Sequence, residues 1–143
     1  MKHNLLDSSI GYLINRTSLN LNNLLARRLR DFEITPEQFV LLSRLREEEG
    51  LSQKELALRS EKDPPGVTRM LDNMLSKDLI IREQNDRRTF SIFLTEKARS
   101  IYNELERIEN NTMREITEEL TEEELNTLFN LLGKVKQSID KLS

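Results

Sequence analysis

The chain has 143 residues, 36% hydrophobic and 33% charged, with a formal net charge of −3, enough for one small domain with appendages and a modest core. It contains no cysteine and a single histidine, His3, which excludes a disulfide framework, a thiolate metal site, a thiol redox sensor and any histidine dyad built from this chain alone. The first apolar residues are interrupted by Asp7, Asn15 and Arg16, and no later run reaches membrane-spanning length, so neither a signal peptide nor a membrane partner is expected and the location is read as cytoplasmic.

In chain order, Leu6, Ile10, Leu13, Ile14, Leu21, Leu24, Leu25, Leu29 and Phe32 keep helical spacing and predict one long amphipathic helix from Leu5 to Phe32. Ser52-Gln53-Lys54-Glu55 reads as a capping box opening a short helix, whose inner face is Leu51, Leu56, Ala57 and the stem of Arg59. At Asp63-Pro64-Pro65 the aspartate suits an N-cap and Pro64 the first helical position, so a second helix starts there. Its stripe of Val67, Met70, Leu71, Met74 and Leu75 turns Pro65, Thr68, Arg69, Asn73 and Lys77 outward or to the flank. The helix should end at Asp78. Leu79-Ile80-Ile81 and Phe90-Ser91-Ile92-Phe93-Leu94 then predict two strands joined by the polar tip Asn85-Asp86-Arg87-Arg88. Two more helical stripes follow, one from Ile101 to Leu120 and one from Leu125 to Leu142 behind the capping box Thr121-Glu122-Glu123-Glu124.

Two short helices followed by a tipped hairpin form a helix-turn-helix with a wing, a shape suited to gripping double-stranded DNA. An acidic chain argues mildly against that partner. The charge is uneven, however: residues 1–58 hold 8 basic and 8 acidic side chains, 59–99 hold 9 and 7, and 100–143 hold 5 and 10. Thr68 and Arg69 lie in the first two turns of the second helix, the part that meets base edges in helix-turn-helix docking. Arg69 has the fork geometry that guanine edges and phosphates accept. Asn73, Lys77, Lys62 and Ser52 are candidate phosphate contacts. Asp86-Arg87-Arg88 could be a polar turn and nothing more, but turn chemistry does not call for two adjacent arginines.

The terminal helices need apolar partners, which either an intertwined dimer or an ordinary intramolecular three-helix bundle would supply. A two-fold dimer would place two reading helices in successive major grooves about 34 Å apart, on a near-palindromic operator. A gly-rich phosphate loop, a Ser/His/Asp order and a cysteine nucleophile are all missing. No enzyme, metal or cofactor is expected.

Thr68-Arg69-Met70-Leu71-Asp72, Lys77-Asp78-Leu79-Ile80-Ile81-Arg82, Asn85-Asp86-Arg87-Arg88 and Leu94-Thr95-Glu96-Lys97 together resemble the MarR family of bacterial winged-helix regulators. Thr35-Pro36-Glu37-Gln38-Phe39-Val40-Leu41 resembles that family's helix before the DNA-binding pair, so nearly the whole chain is covered. The resemblance implies a mainly α fold with a small β-hairpin wing: an N-terminal dimerisation helix (1–33), a winged helix-turn-helix lobe (34–99) and C-terminal dimerisation helices (100–143). It implies a homodimeric repressor, with Asp86 bracing Arg88 and Arg88 entering the minor groove. It also implies a small-molecule effector pocket, for which Tyr12, Arg16, Leu24, Phe39 and Leu42 are candidates.

The chain departs from the family pattern in Asp78, where glycine is usual, and in Pro65-Gly66, which remove side-chain donors from positions that commonly face bases. The rival reading is a winged helix that docks a protein partner instead of DNA.

Overall fold

A computed structural model describes residues 5–143, and His3 lies outside the described residues. The chain divides into two compact units, the first running to Ile108 and the second spanning Glu109–Ser143. The division by compactness thus falls within the helix Glu96–Ile116, whereas the sequence reading divides the chain by role, after residue 99.

In the first unit, α1 spans Ile10–Leu29 and a 3-10 turn follows at Arg30–Phe32. The expected helix from Leu5 to Phe32 is therefore shorter at both ends. Ser9 stops it at the front: its backbone is extended, and its hydroxyl accepts from the Tyr12 N–H at 3.2 Å, satisfying a helix-end donor. At the rear, the left-handed Glu33 (φ 57°) turns the chain out of the helical path.

Helix α2, Pro36–Glu47, starts with a capping box that exchanges two hydrogen bonds of 3.1 Å between Thr35 and Gln38. Helix α3, Gln53–Ser60, has the expected box between Ser52 and Glu55. Helix α4, Pro64–Ser76, has the expected Asp63 cap and proline start. Asp78 adopts the left-handed conformation (φ 59°) just beyond it, where a short polar side chain replaces glycine.

The hairpin pairs β1, Ile80–Gln84, with β2, Phe90–Leu94, in antiparallel register from Ile80 opposite Leu94 to Gln84 opposite Phe90. Leu51 adds a single bridge on the far side of β2, opposite Ile92. Gly50, at φ 85°, gives the chain the turn that brings it there, and its N–H donates to the Ile92 carbonyl at 2.8 Å. Helix α5, Glu96–Ile116, follows directly.

The core of this unit is built from Leu41, Leu42 and Leu45 of α2, Leu56 of α3, Val67, Leu71 and Met74 of α4, and Ile80 and Ile92 of the hairpin, all essentially without solvent contact. Phe39 and Tyr102 stack with ring centroids 5.8 Å apart, and the Arg46 guanidinium lies 5.4 Å from the Tyr102 ring centre. The Tyr102 hydroxyl donates to Ser43 Oγ at 3.2 Å, so the ring is buried with its polar end satisfied.

The second unit comprises the remainder of α5, a turn, and α6, Glu122–Leu142. Thr121 and Glu124 form the expected capping box at 3.1 and 2.9 Å. Glu124, whose side chain accepts from Thr121, is held below the usual carboxylate range by that bond. No residue of α6 is buried. Leu125, Leu128, Leu132, Val135, Ile139 and Leu142 repeat at alternating steps of three and four, and every one is at least 37% exposed. This helix has a strong local start and a continuous exposed apolar seam.

Candidate nucleic-acid interface

The first turn of α4 is set by Asp63, whose carboxylate accepts from the Gly66 N–H at 2.9 Å. That cap explains the glycine. A Cβ at residue 66 would stand 2.9 Å from Asp63 Oδ1, so a side chain there would displace the capping group. Pro64, Pro65 and Gly66 therefore build a helix entrance with no side-chain hydrogen-bonding group, and the first polar side chains on the exposed face are Thr68 and Arg69.

The residues expected to meet DNA divide by what already holds them. The Thr68 hydroxyl donates to the Pro64 carbonyl at 3.1 Å and accepts from Gln53 Nε2 at 2.9 Å. Ser52 Oγ accepts from the Glu55 N–H. Asn73 Oδ1 accepts from Gln38 Nε2 at 2.7 Å, and Lys77 Nζ donates to the Glu33 carbonyl. Asn73 and Lys77 thus tie the later turns of α4 to α2 and to the chain entering it.

Arg69, Arg87 and Arg88 are different. Each is exposed, and no carboxylate among the described residues pairs with its guanidinium. Arg59 is matched with Glu48 at 2.6 Å, Arg82 with Asp72 at 2.9 Å and Arg99 with Glu49 at 2.8 Å, while Arg46, likewise without a carboxylate pair, lies over the Tyr102 ring. Arg69 and Lys62 border a shallow depression of about 590 Å³, together with Thr35, Asn73 and Lys77.

Two tethers fix the wing relative to α4 and α5. Arg82 of β1 reaches Asp72 of α4. At the base, Glu49 Oε1 accepts from the Leu94 N–H at 2.8 Å, and Oε1 and Oε2 both accept from Arg99 Nη2, at 2.8 and 3.0 Å. Burial pushes the Glu49 carboxyl up, but the Arg99 and Leu94 hydrogen bonds, aided by the charges of Arg99 and Arg46, hold it below its usual range.

At the tip, Asp86 Oδ1 accepts from the backbone N–H of Arg88 at 2.8 Å and of Thr89 at 3.0 Å. The bracing expected of Asp86 thus acts on the backbone beneath Arg88, and the guanidinium itself is left unpaired. Those hydrogen bonds, the Arg88 N–H first, depress the Asp86 carboxyl below its ordinary 3.8. A depressed carboxylate contributes its full stabilisation above the unfolded value and loses it as pH falls through the folded one. The tip should accordingly keep its order across the neutral range and lose it only below pH 3.8.

Asp86→Asn, which keeps the accepting oxygen, should preserve most DNA affinity, whereas Asp86→Ala should imitate part of the Arg88→Ala loss. Equal affinities for the two variants in fluorescence anisotropy would show that the tip hydrogen bonds have no bearing on binding.

The pocket candidates are dispersed. Tyr12 and Arg16 border a depression of about 340 Å³ beside the first turn of α1, with Leu6 and Leu13. Phe39 and Leu42 belong to the core and Leu24 is half-buried. Neither of these two depressions is lined by Leu24, Phe39 or Leu42. Among the described residues no group of three or more His, Asp or Glu is arranged to hold a metal, and no helix is long and apolar enough to cross a membrane.

Sequence reading missed Gln53, Gln38, Asp72, Glu49 and Arg99 as positioning residues. Their partners lie 10 to 50 residues away in the chain, beyond the reach of any periodicity.

Comparison with known proteins agrees with this geometry. The model of the MarR family matches residues 34–90. The reduced form of MarR from E. coli is 32% identical over 89% of this chain and 96% of its own, with a TM-score of 0.74. A cysteine-to-serine variant of E. coli MarR complexed with operator DNA is 30% identical over 93% of this chain and 99% of its own, with a TM-score of 0.83. MepR of S. aureus in complex with DNA is 27% identical over 92% and 98%, with a TM-score of 0.87.

Proposed function

Because the chain belongs to the MarR family, we propose that it is a sequence-specific DNA-binding transcriptional regulator, a cytoplasmic repressor that grips a near-palindromic operator as a homodimer. The supporting observation is the selective pairing of arginines. A lobe that neutralises Arg59, Arg82 and Arg99 leaves Arg69 on the helix and Arg87 and Arg88 on the wing tip without an acid partner. Unpaired guanidinium groups on the two protruding elements of a winged helix are what phosphate and base-edge contacts require. The acidity of the whole chain is no obstacle, since the acidic excess lies in residues 100–143.

Support for the dimer comes from the exposed apolar seam of α6 and from the exposed apolar residues of α1, Ile10 and Leu13. Two lobes related by a two-fold axis present two α4 helices to one face of the duplex. Release by a small-molecule effector belongs to the same proposal, with Tyr12 and Arg16 as the pocket candidates that already border open space.

Selection of bound duplexes from a random pool tests the reading directly. The expected result is an inverted repeat whose half-site centres are about one helical turn, or a multiple of it, apart. Failure to enrich any sequence would favour a winged helix that docks a protein partner.

A further inference from the structure

The polar end of Thr68 is already occupied. Its hydroxyl proton goes to the Pro64 carbonyl at 3.1 Å, and one of its lone pairs takes the Gln53 amide N–H at 2.9 Å. Gln53 comes from the first turn of α3, so the contact joins the two helices of the helix-turn-helix as well as fixing one side chain. With the donor spent and one acceptor site filled, Thr68 has little hydrogen-bonding capacity left. Yet the residue is exposed in the second turn of α4, beside Pro65 and Gly66, which present no side-chain hydrogen-bonding group. What it has left to offer is its γ-methyl group.

We propose that Thr68 determines specificity as an apolar reader: its methyl packs on the C5-methyl of a thymine in the major groove, and Gln53 is the positioning residue that holds the hydroxyl aside. This rests on the DNA-binding reading above. The chemistry is that of direct readout, in which thymine alone among the bases presents a methyl group in the major groove and a threonine methyl is a suitable partner. It divides the labour on α4 between Thr68, which recognises an apolar edge, and Arg69, which is free to donate to a polar one.

The test replaces thymine with uracil, which removes the C5-methyl and leaves every hydrogen-bonding group in place. In a selected operator, each symmetric thymine pair is substituted in turn, and affinity is measured for the full chain and for Thr68→Val and Thr68→Ser. Burial of one methyl-sized group corresponds to about a fourfold change per half-site, or roughly fifteenfold for a symmetric site.

One thymine pair should show that penalty with the wild-type chain and with Thr68→Val, which keeps a methyl and loses the hydroxyl. The penalty should vanish with Thr68→Ser, which keeps the hydroxyl and loses the methyl. Indifference of the wild-type chain to uracil at every position would overturn the proposal while leaving DNA binding intact. A penalty that persists in Thr68→Ser would assign the methyl contact to another residue, and loss of site preference in Thr68→Val would make the hydroxyl the reader; either result overturns it. If no duplex is enriched at all, the DNA-binding premise fails, and that outcome is distinct from the other three.

Discussion

The double substitution Leu128→Asp with Leu132→Asp should convert the protein from dimer to monomer and remove operator binding. Both leucines sit on the α6 seam, 42% and 47% exposed, so roughly half of each side chain is still available for burial. A fully buried leucine contributes about 1.5–3 kcal/mol, so half-burial of four such side chains across a two-fold interface amounts to about 4 kcal/mol or slightly more. That alone corresponds to about three powers of ten in the dimerisation constant, before the cost of burying four carboxylates is added.

The helix itself should survive, because its start is held by the Thr121–Glu124 box and not by contacts of the seam. Sedimentation equilibrium should therefore report a monomer while circular dichroism reports little loss of helix. Operator affinity should collapse, since a monomer offers one reading helix where the site provides two half-sites. A stable dimer in this variant would place the interface elsewhere.

The second large effect separates helix from wing. Arg69→Ala should cost about 1–3 kcal/mol per half-site if Arg69 makes a bidentate guanine contact, with the loss concentrated at one symmetric pair of positions. Arg88→Ala should instead weaken binding over most sequences, most strongly where the flanking minor groove is narrow. The slope of log affinity against log salt should become shallower by about 0.9 for each phosphate neutralisation lost. Neither arginine is held by an internal ion pair, so neither substitution should lower thermal stability measurably. Identical salt slopes and identical site preferences for the two variants would contradict this division of work.

Three of the local starts were legible residue by residue. The boxes at Ser52 and Thr121 and the Asp63-Pro64 entrance all form where the side chains suggested. Thr35 and Gln38 form a fourth cap, inside a stretch that carried only a family resemblance in the sequence. The buried stripe of α4 was readable from its spacing: Val67, Leu71 and Met74 are fully buried, and Met70 and Leu75 pack at its margin. The first helix was overestimated because hydrophobic periodicity continues through Leu6 and Phe32, whereas Ser9 and the left-handed Glu33 punctuate the backbone at either end.

The candidate site was only half legible. Arg69, Arg87 and Arg88 could be named from position and residue type. It took the fold to separate them from Asn73 and Lys77, whose polar ends are held by Gln38 and the Glu33 carbonyl. The same applies to Thr68, which the sequence places among the outward-turned side chains and which in the fold has its hydroxyl tied to Gln53 and Pro64.

By itself, then, the sequence determined where α3, α4 and α6 start, which faces are apolar and which residues protrude on the helix and the wing. These depend on interactions within about four residues, whose geometry the chain sets locally. Tertiary structure alone decided which polar groups remain free: Gln53 and Thr68 are 15 residues apart, Gln38 and Asn73 are 35, and Glu49 and Arg99 are 50. A hydrogen bond needs its partners within about 3 Å, and only the packed core brings such distant residues that close.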